Sequence, residues 1–333
     1  MRATPLSVLD LSPIPSGSTA GDALRNTIDL ARHAEALGLR RYWLAEHHNA
    51  GALACPAPEI LIGQVAAATR SIRVGSGGIM LPNHTPLKVA ETFRVLHALF
   101  PDRIDLGLGR APGTDPRTAL ALRRTLEGNL DNFPQDVQEL LAYLNPSLPG
   151  QAVRAIPGEG SQVPVWILGS SLYGAQLAAA LGLPYAFASH FAPDELDFAV
   201  HLYRRDFKPS AHLDKPYVML GLNVFAADTD GEAELLFTSL QQAFVNLRTG
   251  RPGQLPPPMA GYADTLEPRI ADMLEQVLRC AIVGGRARIA EGLSSFITAH
   301  RPDEIMVTAQ IFDAAARRKS YDILSEIHPP RGG

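Results

Sequence analysis

Three ionisable side chains in a row, Glu46, His47 and His48, close an aromatic and aliphatic run that begins at Tyr42. Histidine titrates near neutrality, so a positioned imidazole can take and return a proton at physiological pH. The run before it reads as a strand buried on both faces. A buried strand that ends in titratable groups is how a (β/α)8 barrel presents chemistry, at the carboxyl ends of its strands. Successive residues of an extended chain point opposite ways, so one histidine of the pair faces a pocket and the other does not. Three other stretches have comparable character. Gly77-Gly78 interrupt an apolar strand, as glycines do where a flat ligand lies against the backbone. Gly109-Arg110 and Gly169-Ser170-Ser171 close two further strands. There a guanidinium, hydroxyls and the free amides of a helix start can hold a phosphate. Each stretch has a plainer alternative: a helix cap for Ser171, a surface ion pair for Arg110, tight packing for the glycines. Convergence on one rim favours the functional reading.

The elements that must position these residues follow from apolar periodicity and its punctuation. Strands are expected at residues 6–10, 42–45, 72–80, 104–108, 165–168, 185–188, 217–225 and 304–307. Helices are expected between them, over 59–68, 86–100, 116–126, 133–144, 171–181, 193–207, 230–247, 268–279, 285–299 and 313–327. Asp22 is expected to cap the first helix, which Gly38 ends. Eight strands alternating with helices make an α/β chain with a parallel sheet, and eight is the number that closes a TIM barrel. A doubly wound sheet would carry a Gly-x-Gly-x-x-Gly turn after the first strand, and residues 11–21 have none. The expectation is one barrel domain with insertions over residues 1–333.

Composition excludes several functions. With 46% hydrophobic residues, 19% charged residues and a net charge of -4, the chain has no broad basic field, so nucleic acid is not an expected partner. Cys55 and Cys280 are its two cysteines, far apart in sequence and without a Cys-x-x-Cys spacing. That pattern fits neither a disulfide framework nor a zinc-thiolate site, and suits a reducing compartment. No apolar run of signal-peptide length opens the chain, so a cytoplasmic location is expected. Residues 160–193 carry no Asp, Glu, Lys or Arg, yet Pro164, Gly169, Gly182 and Pro184 cut them into strand, helix and strand. No membrane span is expected.

The ordered set of motifs resembles the bacterial-luciferase-like, flavin-dependent monooxygenases, in their small single-chain branch. It comprises Trp43-Leu44-Ala45-Glu46-His47-His48-Asn49, the run from Gly77 to His84, the run from Arg103 to Gly113, and Leu168-Gly169-Ser170-Ser171. The resemblance spans nearly the whole chain and is densest before Pro116. It implies a TIM barrel that binds reduced FMN, adds O2 to form a flavin hydroperoxide, and oxygenates an organic substrate. It makes His47 the catalytic histidine, Gly77-Gly78 a pair joined by a cis peptide under the flavin ring, and Arg110 and Ser171 phosphate ligands. It also implies a separate NAD(P)H:flavin reductase and a homodimer. Three departures stand out: Ser170 where luciferase has a glutamate, Gly174 where it has a threonine, and Gly109 where it has a reactive cysteine. No thiol chemistry is expected at Gly109.

A substrate pocket is expected to include Glu46, His84, Phe191 and residues 259–262, which suggests an apolar substrate. The Pro-rich segment 249–267 falls at the active-site face, where the family has a mobile lid, although it also reads as an irregular loop. The small residues Gly63 and Ala66 to Ala68 permit close helix approach, in a dimer or within the monomer. Two other functions remain open. One is a relative that only binds flavin, or that uses the deazaflavin F420 for hydride transfer. The other is a metal-dependent hydrolase using Glu46, His47, His48 and His84, which lacks carboxylate partners at later strand ends, so no metal is expected.

Overall fold

Strands that are apolar on both faces need cover on both, and here helices supply the outside while the strands enclose the inside. The computed structural model describes residues 4–111, 113–123 and 132–329. Its strands are β1 (Leu6–Asp10), β2 (Arg41–Leu44), β3 (Arg73–Met80), β4 (Ile104–Gly109) and β5 (Val165–Gly169). They continue as β6 (Tyr185–Phe187), β7 (Val218–Ala226), β8 (Ala281–Gly284) and β9 (Glu304–Thr308). All pair in parallel. Eight close into a ring in the order β1-β2-β3-β4-β5-β6-β7-β9, with Leu6 beside Ile305 where β1 meets β9. The expected (β/α)8 barrel is present.

The helices are α1 (Ala20–Ala36), α2 (Pro58–Ala68), α3 (Pro86–Leu99), α4 (Pro116–Arg123), α5 (Phe133–Leu144) and α6 (Leu172–Leu181). After these come α7 (Leu196–Asp206), α8 (Asp230–Arg248), α9 (Pro268–Val277), α10 (Arg286–His300) and α11 (Ala314–Ile327). The expected helix over 116–126 runs past the described residues at its end. Thr19, and not Asp22, is the N-cap of α1. The Asp22 amide donates to Thr19 Oγ1 (3.2 Å) while the Asp22 carboxylate accepts from the Thr19 amide (2.9 Å), a reciprocal capping box. β8 was not expected. It lies outside the ring, paired to the outer half of β7 from Asn223 to Ala226.

Alternation divides the core in two. Outward side chains such as Val8, Tyr42, Val74, Leu106 and Val307 pack under the helices. Inward, Leu9, Trp43, Ala45, Trp166, Ala186, Met219 and Met306 form a separate cluster, with Trp43 and Trp166 edge to face at 5.2 Å. Beneath that cluster, at the amino ends of the strands, the interior is charged. Asp105 accepts from Arg41 Nη1 (2.7 Å) and Arg73 Nη2 (2.6 Å), and Glu304 accepts from Arg41 Nε (3.0 Å), Ser7 Oγ and Tyr217 Oη (2.8 Å). Burial alone would raise the Asp105 pKa, but the two guanidiniums outweigh it and hold the carboxyl below its usual range. Above the cluster the inward positions shrink to Gly77, Gly109, Ala188 and Gly221. The barrel is plugged at its foot by charge, and its mouth is lined by small residues.

Candidate active site

The mouth is built on β3, whose Gly77-Gly78 peptide is cis, with a register shift against β4 between Gly77 and Ile79. No side chain fits there: a Cβ at Gly77 would meet Leu9 Cδ1 at 2.8 Å, and one at Gly78 would meet the Gly107 carbonyl at 2.7 Å. The Gly78 carbonyl accepts from the Glu46 amide (3.2 Å), which ties the end of β2 to this peptide. At Gly109 the Met80 side chain fills the space a cysteine would need, since a Cβ would lie 2.6 Å from Met80 Sδ.

Glu46 is placed differently from the expectation. It is fully buried and works as an anchor. Its carboxylate accepts from the Met80 amide (2.8 Å), and its oxygens lie 2.7 Å from His48 Nε2 and 2.9 Å from His84 Nε2. Burial pushes its pKa up, but these bonds outweigh burial and leave it lowered. Burial disfavours charge on His84, yet the Glu46 bond wins and its pKa is raised. The ligand atoms of Glu46, His48 and His84 fall within 4.8 Å of one another, as a metal site would need, but they are engaged with each other. The cluster fastens the loop after β2 to the start of the loop after β3.

His47 is thereby set apart from His48, as alternation requires. Its amide donates to the Cys55 carbonyl (3.0 Å), and its Nδ1 faces the Ala45 carbonyl at 3.4 Å. Burial lowers its pKa, more than the Ala45 carbonyl and Glu46 raise it, so the ring is neutral at pH 7. With Nδ1 turned to a carbonyl, the ring proton belongs on Nδ1 and the Nε2 lone pair is free.

Arg110 lies against the first turn of α6, the helix that Ser171 precedes. The Arg110 guanidinium carbon lies 4.2 Å from the centre of the Tyr173 ring, in the first turn of α6. Ser171 is the N-cap of α6 by position, but its hydroxyl makes no capping bond, and Ser170 and Ser171 are both exposed. The helix start therefore keeps its amides, two hydroxyls and a cation available. Gly169 and Gly174 pack against each other: a Cβ on Gly174 would lie 3.3 Å from Gly169 Cα and from the Tyr185 ring. A threonine at 174 would have to displace one of them. Phe191 stands at the rim, 44% exposed and 5.8 Å from the Phe244 ring.

The segment 249–267 is laced down. Leu255 exchanges backbone hydrogen bonds with Ile14 and Ser16 (2.8 Å each), Met259 N donates to Thr238 Oγ1 (2.8 Å), and Gln242 Nε2 donates to the Pro257 carbonyl (2.9 Å). Any closure there must carry or break these bonds. Tyr173, Asn223 and His190 also belong to the mouth and were not singled out in the sequence. The Gly221 break in an apolar strand is the one sequence signal that could have drawn attention to His190.

Comparison with known proteins bears on the family and the fold. The family model described as luciferase-like monooxygenase matches residues 4–300. A luciferase-like monooxygenase of Escherichia coli K12 is 54% identical over 96% of both chains. An N-acetyl-S-alkylcysteine monooxygenase of Bacillus subtilis is 34% identical over 96% of this chain and 97% of its own. The crystal structure of apo-MsnO8 superposes with a TM-score of 0.92 at 37% identity, covering 98% of this chain and all of that one.

Proposed function

Because the chain belongs to the luciferase-like monooxygenase family, we propose that it uses reduced FMN and O2 to oxygenate a small, largely apolar organic substrate. The observation that carries this reading is the pairing of a side-chain-free backbone at Gly77-Gly78 with the uncommitted start of α6 beside Arg110. The first suits a flat ring and the second a phosphate, and FMN has both. Gly169, Ser170 and Ser171 would supply amides and hydroxyls to that phosphate, and Arg110 a charged donor. Bound reduced flavin supplies the activation of O2. The protein's part is to hold the cofactor, exclude water with the Trp43-Trp166 interior, and accept and return a proton at His47 Nε2.

The amino-acid pattern has no nicotinamide site, so a separate NAD(P)H:flavin reductase would deliver the cofactor. Cys55 and Cys280 are both free and buried, in keeping with a reducing cytoplasm. Among the described residues, no helix is long and apolar enough to cross a membrane. The test is a titration of the purified protein with reduced FMN and with reduced F420, followed by oxygen uptake with photoreduced FMN. Tight F420 binding without oxygen uptake would favour hydride transfer instead.

Arg110→Ala should weaken FMN binding by about 1.5–3 kcal/mol, the range for a hydrogen bond to a charged group. Riboflavin, which lacks the phosphate, should be indifferent, and equal losses for both ligands would refute the phosphate role.

We further propose a homodimer, on grounds revised from the sequence. Ala66 is buried and Gly63 faces Leu96 of α3, so these small residues serve packing within one chain. The outer faces of α2 and α3 instead expose Ile60 (65%), Val95 (42%) and Leu99 (65%), an apolar patch that a second copy would cover. Light scattering at micromolar concentration should give twice the chain mass, and Leu99→Lys should reduce it to one.

A further inference from the structure

Opposite His47 stands a second imidazole. In the closed ring β6 lies four strands from β2 in either direction, so His190, just past β6, faces the loop after β2 across the mouth. Its loop is stitched to β7. Ser189 Oγ donates to the Gly221 carbonyl (2.6 Å), and Asn223 Nδ2 donates to the His190 carbonyl (2.7 Å). Ser189 is fully buried and Asn223 nearly so, and these bonds fix the backbone that carries the ring. The ring occupies the place of a side chain at Gly221, where a Cβ would lie 2.2 Å from His190 Nδ1. Glycine there gives the imidazole its room inside the mouth.

His190 Nδ1 is buried and, among the described residues, has no hydrogen-bond partner. A proton on that nitrogen would have no acceptor, so it belongs on Nε2, on the side of the ring away from β7. Burial, with His47 adding to it, brings the pKa down to about 4, so the group is a neutral donor. Such a donor gains from an uncharged oxygen. It offers no charge to a carboxylate, whose loss of hydration would go uncompensated.

We propose that His190 is a substrate-binding residue whose Nε2–H donates to an uncharged oxygen acceptor, such as a carbonyl, and sets the substrate between His190 and His47. The assignment names the substrate class for the oxygenase reading and rests on it. A substrate held this way is gripped from β6 while the proton-transfer group acts from β2.

The test uses the whole protein, labelled with ¹⁵N-histidine, and long-range ¹H–¹⁵N spectra, with cyclohexanone and cyclohexanecarboxylate as probes. The expected result is an Nε2–H tautomer at His190 and a shift of its Nε2 resonance by cyclohexanone but not by the carboxylate. His190→Phe, which refills the space, should bind cyclohexanone about tenfold more weakly, the size of one hydrogen bond. His190→Gln, which keeps an N–H donor, should recover most of that loss. An Nδ1–H tautomer, no response to cyclohexanone, equal binding by His190→Phe, or preference for the carboxylate would overturn the proposal. FMN titration of the same samples separates the two readings: a parent protein that ignores FMN sinks the oxygenase, whatever His190 does with the ketone.

Discussion

His47→Ala is expected to fold, to bind reduced FMN, and to lose about 10²–10⁴-fold in oxygenation, the usual contribution of a positioned acid-base group. Folding should survive because the loop is held by other atoms: the His47 amide on the Cys55 carbonyl, and the Glu46 carboxylate on His48, His84 and the Met80 amide. The imidazole itself contributes one long contact, 3.4 Å to the Ala45 carbonyl. Cofactor binding should survive because the residues proposed to hold the phosphate lie elsewhere, just after β4 and just before α6. His48→Ala should cost the chemistry far less, since its ring is committed to Glu46. The measurement is oxygen uptake with photoreduced FMN, and stopped-flow absorbance of the reduced cofactor mixed with O2. A His47→Ala protein that behaves like its parent while His48→Ala does not would reverse the two assignments.

Asp105→Ala is expected to give the largest loss of stability, about 3–5 kcal/mol, because it removes the carboxylate shared by two guanidiniums in the foot of the barrel. Arg41 is 6% exposed and would keep Glu304, while Arg73 would lose its carboxylate outright. The Trp43 indole, 3.3 Å from Asp105 Oδ2, would lose its acceptor as well. The site should be spared, since the Trp43-Trp166 layer separates this network from the mouth. Urea unfolding should show the loss with an unchanged slope, and FMN affinity should stay within a few-fold. A variant with parental stability would mean that water or Glu304 already shields the arginines.

The barrel was legible because its strands are continuous apolar runs between punctuated helices, a pattern that survives without tertiary information. The candidate site was read from strand ends, where Glu46-His47-His48, Gly77-Gly78, Arg110 and Ser171 all stand. Their division of labour was not legible there. Whether Glu46 lines a pocket or anchors two loops depends on where His84 and the Met80 amide come to lie, and those arrive from another strand. β8 escaped because Ala281–Gly284 is four residues between two helical patterns and ends in glycine, so it reads as a link. Arg41, Arg73, Asp105 and Glu304 read singly as charged residues near strand starts, and only closure of the ring makes them one network. His190 has no partner in sequence; it acquires one when β6 is placed opposite β2.

The ninth strand has a consequence for how the sheet opens. Every strand of the ring is held on two sides, so its amides exchange with solvent only when the ring itself comes apart. β8 is held on one side, by Asn223 to Ala226 of β7, and three of its four residues are only partly buried. It can peel away with α9 while the ring stays shut. Deuterium exchange should therefore split β7 along its length. Amides from Met219 to Leu222, laddered to β9 and β6, should exchange at the slow global rate. Those of Val224, Phe225 and of residues 281–284 should exchange sooner, as a flap hinged at Asn223, the residue that also holds His190 in place.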